Sequence, residues 1–448
     1  MDVSVEHLRS ALISALGSVS EMPYIPPPYR GALDAEHPLV VGREASGKSF
    51  YADFLLSGSS RDLLAVKVYP PSTQVDLARL LRDGFEGHEI WRALVLMSLG
   101  IAVEKDPGQT CRHFRDVLDE VRDKPGIFDV LLKNFDLVLQ RASQKLLLVF
   151  DNLETLAHDW PQTDRLLKAL LQVVLELKPY PAIRAKVFVR ESQFKRLSAL
   201  SEIAELRANR IDLKWSPGHL YALLWHTVIN DQRISREARA ALFQSATGGE
   251  EPDISAIPSD NSLQGKLFQC LVGPLKGRLA EPHKWLPARL SDSRGFATPR
   301  SFLTALRVAA EHTDRCHPGY PWPVHPEGLN RGLAAASVQR TEDVMVRLPW
   351  TRPLLEVLSG LMLPCEKQEI IDRWLSLAPR PVPELFGQSL PPGRWQEGWT
   401  GVVEDLVDVG VFEILGDSRI NVPEIYRLAL HLGRCGAFVR RGCQAVTT

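Results

Sequence analysis

Apolar residues in positions 5–16 recur at helical spacing and predict an amphipathic helix at the start of the chain. Met22-Pro23 through Pro26-Pro27-Pro28 then predicts an extended linker, because consecutive prolines cannot continue a helix. Pro38-Leu39-Val40-Val41 reads as a short buried strand with a helix behind it to Phe54 or Leu55, and residues 63–69 read as a second strand ended by Pro70-Pro71. Helical periodicity covers 75–143, with breaks near Asp106-Pro107-Gly108 and Lys124-Pro125-Gly126. Residues 146–150 are a continuous apolar run, the pattern of a parallel strand covered on both faces. A helix over 164–177 and strands over 185–190 and 210–213 follow. Strands alternating with helices predict βαβ units and a parallel sheet.

From Ser216-Pro217 onward the pattern is mainly helical, with Ser216 as N-cap and Pro217 at the first helical position. Polar or Pro-rich breaks fall at 248–262 and 317–326, and no internal repeat is present. The tail reads as a helix over 399–409, short strands 411–415 and 419–422 about Gly416-Asp417-Ser418, and a helix over 423–432, the outline of a winged helix. The expected fold class is α/β: a P-loop parallel sheet flanked by helices, then a helical lid and a mainly α, winged-helix-like C-terminal domain. The expected boundaries are 1–35 for the N-terminal helix and linker, 36–232 for the P-loop core, 233–340 for the lid and 341–448 for the last domain.

Composition narrows the function classes. With 448 residues, 45% hydrophobic and 24% charged, the chain has the profile of two or three ordinary globular domains. Lys and Arg total 53 against 54 for Asp and Glu, so no global field draws it to nucleic acid or to an acidic membrane. DNA binding would need a local patch; Arg434, Arg440 and Arg441 form a modest one beside the tail. No basic start leads into an apolar core, and no apolar stretch reaches the roughly 18 residues that spanning a bilayer takes. The expectation is a soluble, cytoplasmic protein without a membrane partner. The six cysteines contain no Cys-x-x-Cys pair and read as reduced, structural thiols. Cys316-His317 is an adjacent Cys/His pair, but the sequence shows no further metal ligands at a matching spacing.

Candidate chemistry concentrates in Gly42-Arg43-Glu44-Ala45-Ser46-Gly47-Lys48-Ser49, with Phe50 in the helix behind it. Gly42 and Gly47 permit backbone angles that let successive N–H groups converge on phosphates, Lys48 supplies a point charge for the β- and γ-phosphates, and Ser49 a hydroxyl for Mg²⁺. The positive end of the next helix adds to the anion site. Glu44 is expected to point outward, away from a triphosphate. Asp151, directly after the apolar run, fits a Mg²⁺ ligand acting through water, and otherwise reads as a helix N-cap or turn residue. Asn152 stands where many such ATPases carry a water-activating Glu; Glu154 is either that base or an acid at a helix start. Arg190 ends a strand at the ligand-binding edge of the sheet and either reaches a γ-phosphate or pairs with Glu191 or another carboxylate. Arg300, behind Thr298 as N-cap and Pro299, sits in a first helical turn where the dipole disfavours a cation; a phosphate or a carboxylate such as Asp292 would offset that.

Residues 42–49, 146–154, Arg190 and Gly295-Phe296-Ala297-Thr298-Pro299-Arg300 together resemble AAA+-like and signal-transduction (STAND) ATPases over about residues 36–310. The chain also resembles uncharacterised bacterial P-loop ATPases from mobile or conflict-associated loci. The resemblance implies an ASCE-type sheet, Mg²⁺ handling by Asp151, γ-phosphate sensing by Arg190 and Arg300, and a C-terminal winged helix. No repeat array follows in this sequence, so a typical long STAND sensor is not expected. The expected activity is slow or partner-stimulated hydrolysis of Mg²⁺-ATP by a conformational switch or motor subunit working with a protein partner or a second copy. The alternative is a nucleotide-stabilised DNA-binding or scaffold protein in which the tail reads DNA and hydrolysis is incidental.

Overall fold

The computed structural model describes residues 5–17, 23–58, 62–68, 77–103, 113–153, 156–157, 159–197, 200–232, 234–274, 282–386 and 390–434. The chain divides into two compact units, Pro23–Trp215 and Met1–Met22 with Ser216–Thr448. The first helix, α1 (Val5–Gly17), therefore belongs with the later part of the chain.

The unit 23–215 is built on a parallel sheet of five strands: β1 (Leu39–Gly42), β2 (Leu63–Lys67), β3 (Lys145–Phe150), β4 (Ile183–Arg190) and β5 (Ile211–Leu213), in the order β2-β3-β4-β1-β5. β4 lies between the strand that feeds the Gly-rich loop and the strand that carries Asp151, so the ends of three strands meet the ligand edge side by side. This is the P-loop α/β sheet expected from the alternating pattern. Helix α2 (Lys48–Ser57) follows β1; α3 (Leu77–Arg82), α4 (Gly87–Val103), α5 (Phe114–Asp123) and α6 (Ile127–Arg141) fill the crossover from β2 to β3. Helices α7 (Trp160–Glu176), α8 (Glu191–Leu197) and α9 (Ala204–Ala208) complete the unit. Asp159 starts α7 by accepting the Gln162 backbone N–H at 2.8 Å. The core is made where Leu146, Leu148 and Phe150 of β3 meet α4 and α7: Trp91 packs edge-on against Phe150, 5.8 Å between ring centres, and donates its indole N–H to Leu166 O at 2.8 Å.

Strand β4 buries two cations, Arg190 at its end and Lys186 within it. Lys186 on β4 is fully buried, and its ammonium donates to the carbonyls of Gly31, Asp34 and His37, fastening the segment before β1 onto the sheet. Three backbone acceptors give a buried ammonium the partners that burial demands.

The second unit continues with α10 (Pro217–Asn230), α11 (Arg236–Thr247), α12 (Asn261–Val272), α13 (Pro282–Leu290), α14 (Pro299–Cys316), α15 (Pro326–Arg347) and α16 (Thr351–Glu356). Ser216 caps α10 through the His219 N–H, and Thr298 caps α14 through the Ser301 N–H, each with Pro in the first turn. The sequence pattern grouped α10 with the P-loop core; it packs instead with α1, α12 and α14. Helices α14 and α15 run antiparallel in close contact, because a Cβ at Gly332 would lie 2.0 Å from Ala305 O and one at Gly328 2.5 Å from Ala309 O.

The C-terminal part has β6 (Met362–Leu363), α17 (Lys367–Leu375), α18 (Trp399–Val409), the hairpin β7 (Glu413–Ile414) and β8 (Ile420–Asn421), α19 (Glu424–Arg427) and β9 (Gly433–Arg434). The hairpin is antiparallel, Cys365 bridges to Ile420 beside it, and β6 pairs with β9 in parallel. Strand, two helices and a hairpin make the winged helix, sealed by Trp374 stacked on Phe412 with 6.2 Å between ring centres. The helix expected over 423–432 is shorter: after α19 the chain turns through His431, whose φ of 53° is left-handed, and enters β9. Among the described residues no helix is long and apolar enough to cross a membrane.

Candidate nucleotide site

β1 delivers Gly42 to the edge of the sheet, in register with Arg190 of β4 on one side and Leu213 of β5 on the other. The loop then folds tightly. Ser46 N–H donates to Arg43 O at 3.2 Å, Ala45 and Gly47 take left-handed φ of 59° and 101°, and a Cβ at Gly42 would stand 2.3 Å from Ser46 Oγ. Gly47 is the N-cap of α2, and no side chain caps that first turn. A helix N-terminus without a side-chain acceptor, reached through left-handed backbone, is the arrangement that binds an anion. Ser49 and Phe50 are exposed at the start of α2.

Lys48 lies back over its own loop, its ammonium donating to Gly42 O at 3.0 Å and Arg43 O at 2.9 Å. Trp215, just past β5, donates its indole N–H to Ser46 O at 3.0 Å and is itself packed edge-on against Tyr29, whose hydroxyl donates to Lys214 O. Trp215 and Tyr29 thus hold the loop from behind. The sequence reading missed both; the available signal was an aromatic residue ending a strand that neighbours the loop strand.

Asp151 is the first residue after β3, and its Oδ2 is buried with no hydrogen-bond partner among the described residues. Ser46 Oγ is buried and without a partner in the same way. Buried polar atoms are normally satisfied, so a carboxylate oxygen left over after β3 and a hydroxyl left over in the loop after β1 each fit a position whose remaining partner is a cation, water or phosphate. Asn152 has a left-handed φ of 60°. Glu154 lies outside the described residues.

Glu44 departs from expectation. Its side chain is only 14% exposed and turns inward, its Oε1 3.8 Å from Arg190 Nη1. Burial raises the Glu44 carboxyl pKa, but Arg190, Lys48 and Arg43 outweigh it and hold the group below the usual carboxylate range. The physical reason for the inward turn is that three cations converge where the loop meets β4, and the loop's own carboxylate neutralises part of that charge. Arg190 thus has Glu44 as a carboxylate partner, and Glu191 lies 3.6 Å from Arg43. Beside the loop on the β5 side, a cleft of about 350 Å³ is lined by Arg43, Glu191, Lys195, Arg207, Arg210 and Lys214 among others, a cationic surround.

Arg300 belongs to the other unit, in the first turn of α14. Its partner there is Asp343 of α15 at 3.2 Å, and not Asp292, which lies 3.7 Å from Arg340. The carboxylate of Asp343 offsets the unfavourable dipole at that turn.

No family model matches the chain, and no curated protein does. Among solved structures, the Orc1 protein of Aeropyrum pernix in complex with DNA is similar over 93% of this chain and 95% of its own, at 14% identity and a TM-score of 0.39. Cdc6p of Pyrobaculum aerophilum is similar over 93% of this chain and 96% of its own, at 11% identity and a TM-score of 0.33. Similarity at this level transfers neither ligand nor activity, and the functional reading stands on the geometry of the loop.

Proposed function

We propose that the chain is an ATP-binding and ATP-hydrolysing P-loop protein of the AAA+/STAND-like kind, acting as a conformational switch or motor subunit. The supporting observation is the inward Glu44 carboxylate, held by Arg190 in the field of Lys48 and Arg43: the loop already solvates one anionic group, and a triphosphate is a better match for the same cations. Lys48 exchanges its contacts with Gly42 O and Arg43 O for phosphate oxygens, the loop N–H groups take the remaining ones, and Arg190 leaves Glu44 for the terminal phosphate. Ser49 and Asp151 are the residues that would hold Mg²⁺, which when bound neutralises charge between the β- and γ-phosphates. The left-over Asp151 Oδ2 suits that role. Glu154 is the candidate base, and Arg300 the candidate arginine sensor.

The test is steady-state ATP turnover with Mg²⁺, with and without DNA, in the wild type and in Lys48→Ala. Turnover that depends on Lys48 supports the reading; wild-type turnover no higher than that of Lys48→Ala in every condition removes it. Glu154→Gln is expected to trap bound ATP, and unchanged turnover takes Glu154 out of the base role. Arg300→Ala tests the sensor by the same assay, with lost turnover and retained ATP binding as the expected result.

A further inference from the structure

At the joint between α14 and α15, side chains far apart in type from those of the P-loop converge. His312 lies one turn before the end of α14, His317 directly after it, and Glu327 in the first turn of α15. One ligand atom from each falls within 4.8 Å of the other two. His317 Nε2 is 3.1 Å from Glu327 Oε2 and His312 Nε2 is 3.7 Å from Glu327 Oε1. Donors about 2.0–2.2 Å from a tetrahedral zinc ion stand roughly 3.3–3.6 Å from one another, and each histidine nitrogen lies close to that spacing from one of the two Glu327 carboxylate oxygens. The His312 side chain is nine-tenths buried, yet its Nε2 has no hydrogen-bond partner among the described residues. A buried ring nitrogen facing a carboxylate just beyond hydrogen-bond reach is the atom that asks for a ligand.

The surroundings fix these donors in place. His312 Nδ1 is 3.8 Å from Cys316 Sγ, a contact on the side of the ring away from Glu327 that helps hold Nε2 facing the carboxylate. The His317 ring is stacked on His325 with 3.9 Å between centres, and His325 Nδ1 accepts the Glu327 N–H at 3.1 Å, capping α15. The loop that carries His317 is pinned by Arg9 of α1, fully buried, whose guanidinium donates to Pro318 O, Tyr320 O, Trp322 O and Pro323 O at 3.1–3.4 Å. Gly328 lets α15 approach Ala309 closely enough for Glu327 to meet both histidines.

We propose that His312, His317 and Glu327 form a binding site for a divalent transition-metal ion of the zinc class, clamping the end of α14 to the start of α15. Two imidazoles and one carboxylate are the donors such an ion prefers, whereas Mg²⁺ and Ca²⁺ favour all-oxygen sites. Water completes the coordination, and Cys316 supports His312 without being a ligand. The site is spread over 312–327, which is why a search for Cys/His spacing around Cys316-His317 does not find it: the third ligand comes from a different helix and is a glutamate.

The experiment uses the full chain, stripped with a chelator and kept reduced, titrated with Zn²⁺ alone in competition with a chromophoric chelator. The expected result is one equivalent bound, with a rise in Tm, and a loss of affinity of at least about 100-fold in His317→Ala and in Glu327→Gln, given that even supporting residues are worth 10–100-fold. Both positions are at the surface, and circular dichroism of the metal-free variants checks that they fold. Cys316→Ser is expected to keep the equivalent, and Co²⁺ to give the visible absorption of a low-coordinate nitrogen–oxygen site, without a thiolate charge-transfer band. Zn²⁺ affinity unchanged in both variants, no stoichiometric binding by the wild type, or loss of the ion in Cys316→Ser with a thiolate band in the wild type would each overturn the assignment.

Discussion

A carboxylate inside a triphosphate-binding loop repels the phosphates unless cations hold it aside, and Glu44 is held by the very cations a nucleotide requires. Its charge therefore competes with the ligand. Glu44→Gln is expected to tighten Mg²⁺-ATP binding by about tenfold, equivalent to about 1.4 kcal/mol, measured by calorimetry; weaker binding in Glu44→Gln contradicts the competition. Lys186 makes a second prediction at this scale. Burial pushes its amine down to about 7 against the opposing pull of Asp34 and Glu36, from 10.5 for the unperturbed group. Between pH 7 and 10.5 the unfolded chain therefore binds more protons at this residue, so its contribution to stability rises with pH and is lost as pH falls through 7. Urea midpoints compared at pH 7 and 9 should show the wild type gaining on Lys186→Met at the higher pH; parallel responses of the two proteins contradict it.

The elements differ in how plainly they are written in the chain. The buried run of β3, the Ser216 and Thr298 caps and the tail hairpin are local: apolar continuity, a hydroxyl before proline and Gly416-Asp417-Ser418 each act over a few residues and suffice to place them. The order β2-β3-β4-β1-β5 is not local, and neither is the membership of α1, which depends on Arg9 finding carbonyls more than three hundred residues further along the chain. The loop 42–49 was legible because its backbone demands glycine at set positions. The inward turn of Glu44 and the support from Trp215 were not, since both depend on which strands flank β1. Close helix packing makes a prediction at this scale: Gly332→Val puts new atoms against Ala305 O and is expected to destabilise the chain by about 2–3 kcal/mol. Thermal unfolding checks this, and an unchanged Tm contradicts the observed approach of α14 and α15.

For the molecule as a whole, the two readings separate on charge. The winged helix favours a DNA reader, but α18, the second helix of that motif and the one that would enter a groove, carries Glu404, Asp405 and Asp408 and no basic residue. Arg394 beside it is occupied by Asp405 and Asp408, each at 2.9 Å. Hairpin residue Arg419 is likewise paired with Asp417. Arg434 is described and exposed, while Arg440 and Arg441 lie outside the described residues. Duplex DNA is therefore expected to bind no more tightly than the non-specific range, a Kd of about 10⁻⁶ M or weaker at physiological salt, with a protein partner or second copy as the body that the switch engages. Nanomolar binding that is lost on charge reversal at Arg440 and Arg441 would favour the DNA reader, and binding unchanged by that reversal would count against it. Both readings require the loop to hold a triphosphate, and that is the claim on which the rest depends. Equilibrium binding of Mg²⁺-ATP to the wild type and to Lys48→Ala measures it most directly. The account predicts saturable binding to one site and a loss of at least about tenfold, 1.4 kcal/mol or more, in Lys48→Ala, whereas equal affinity of the two proteins, or no binding by either, contradicts it.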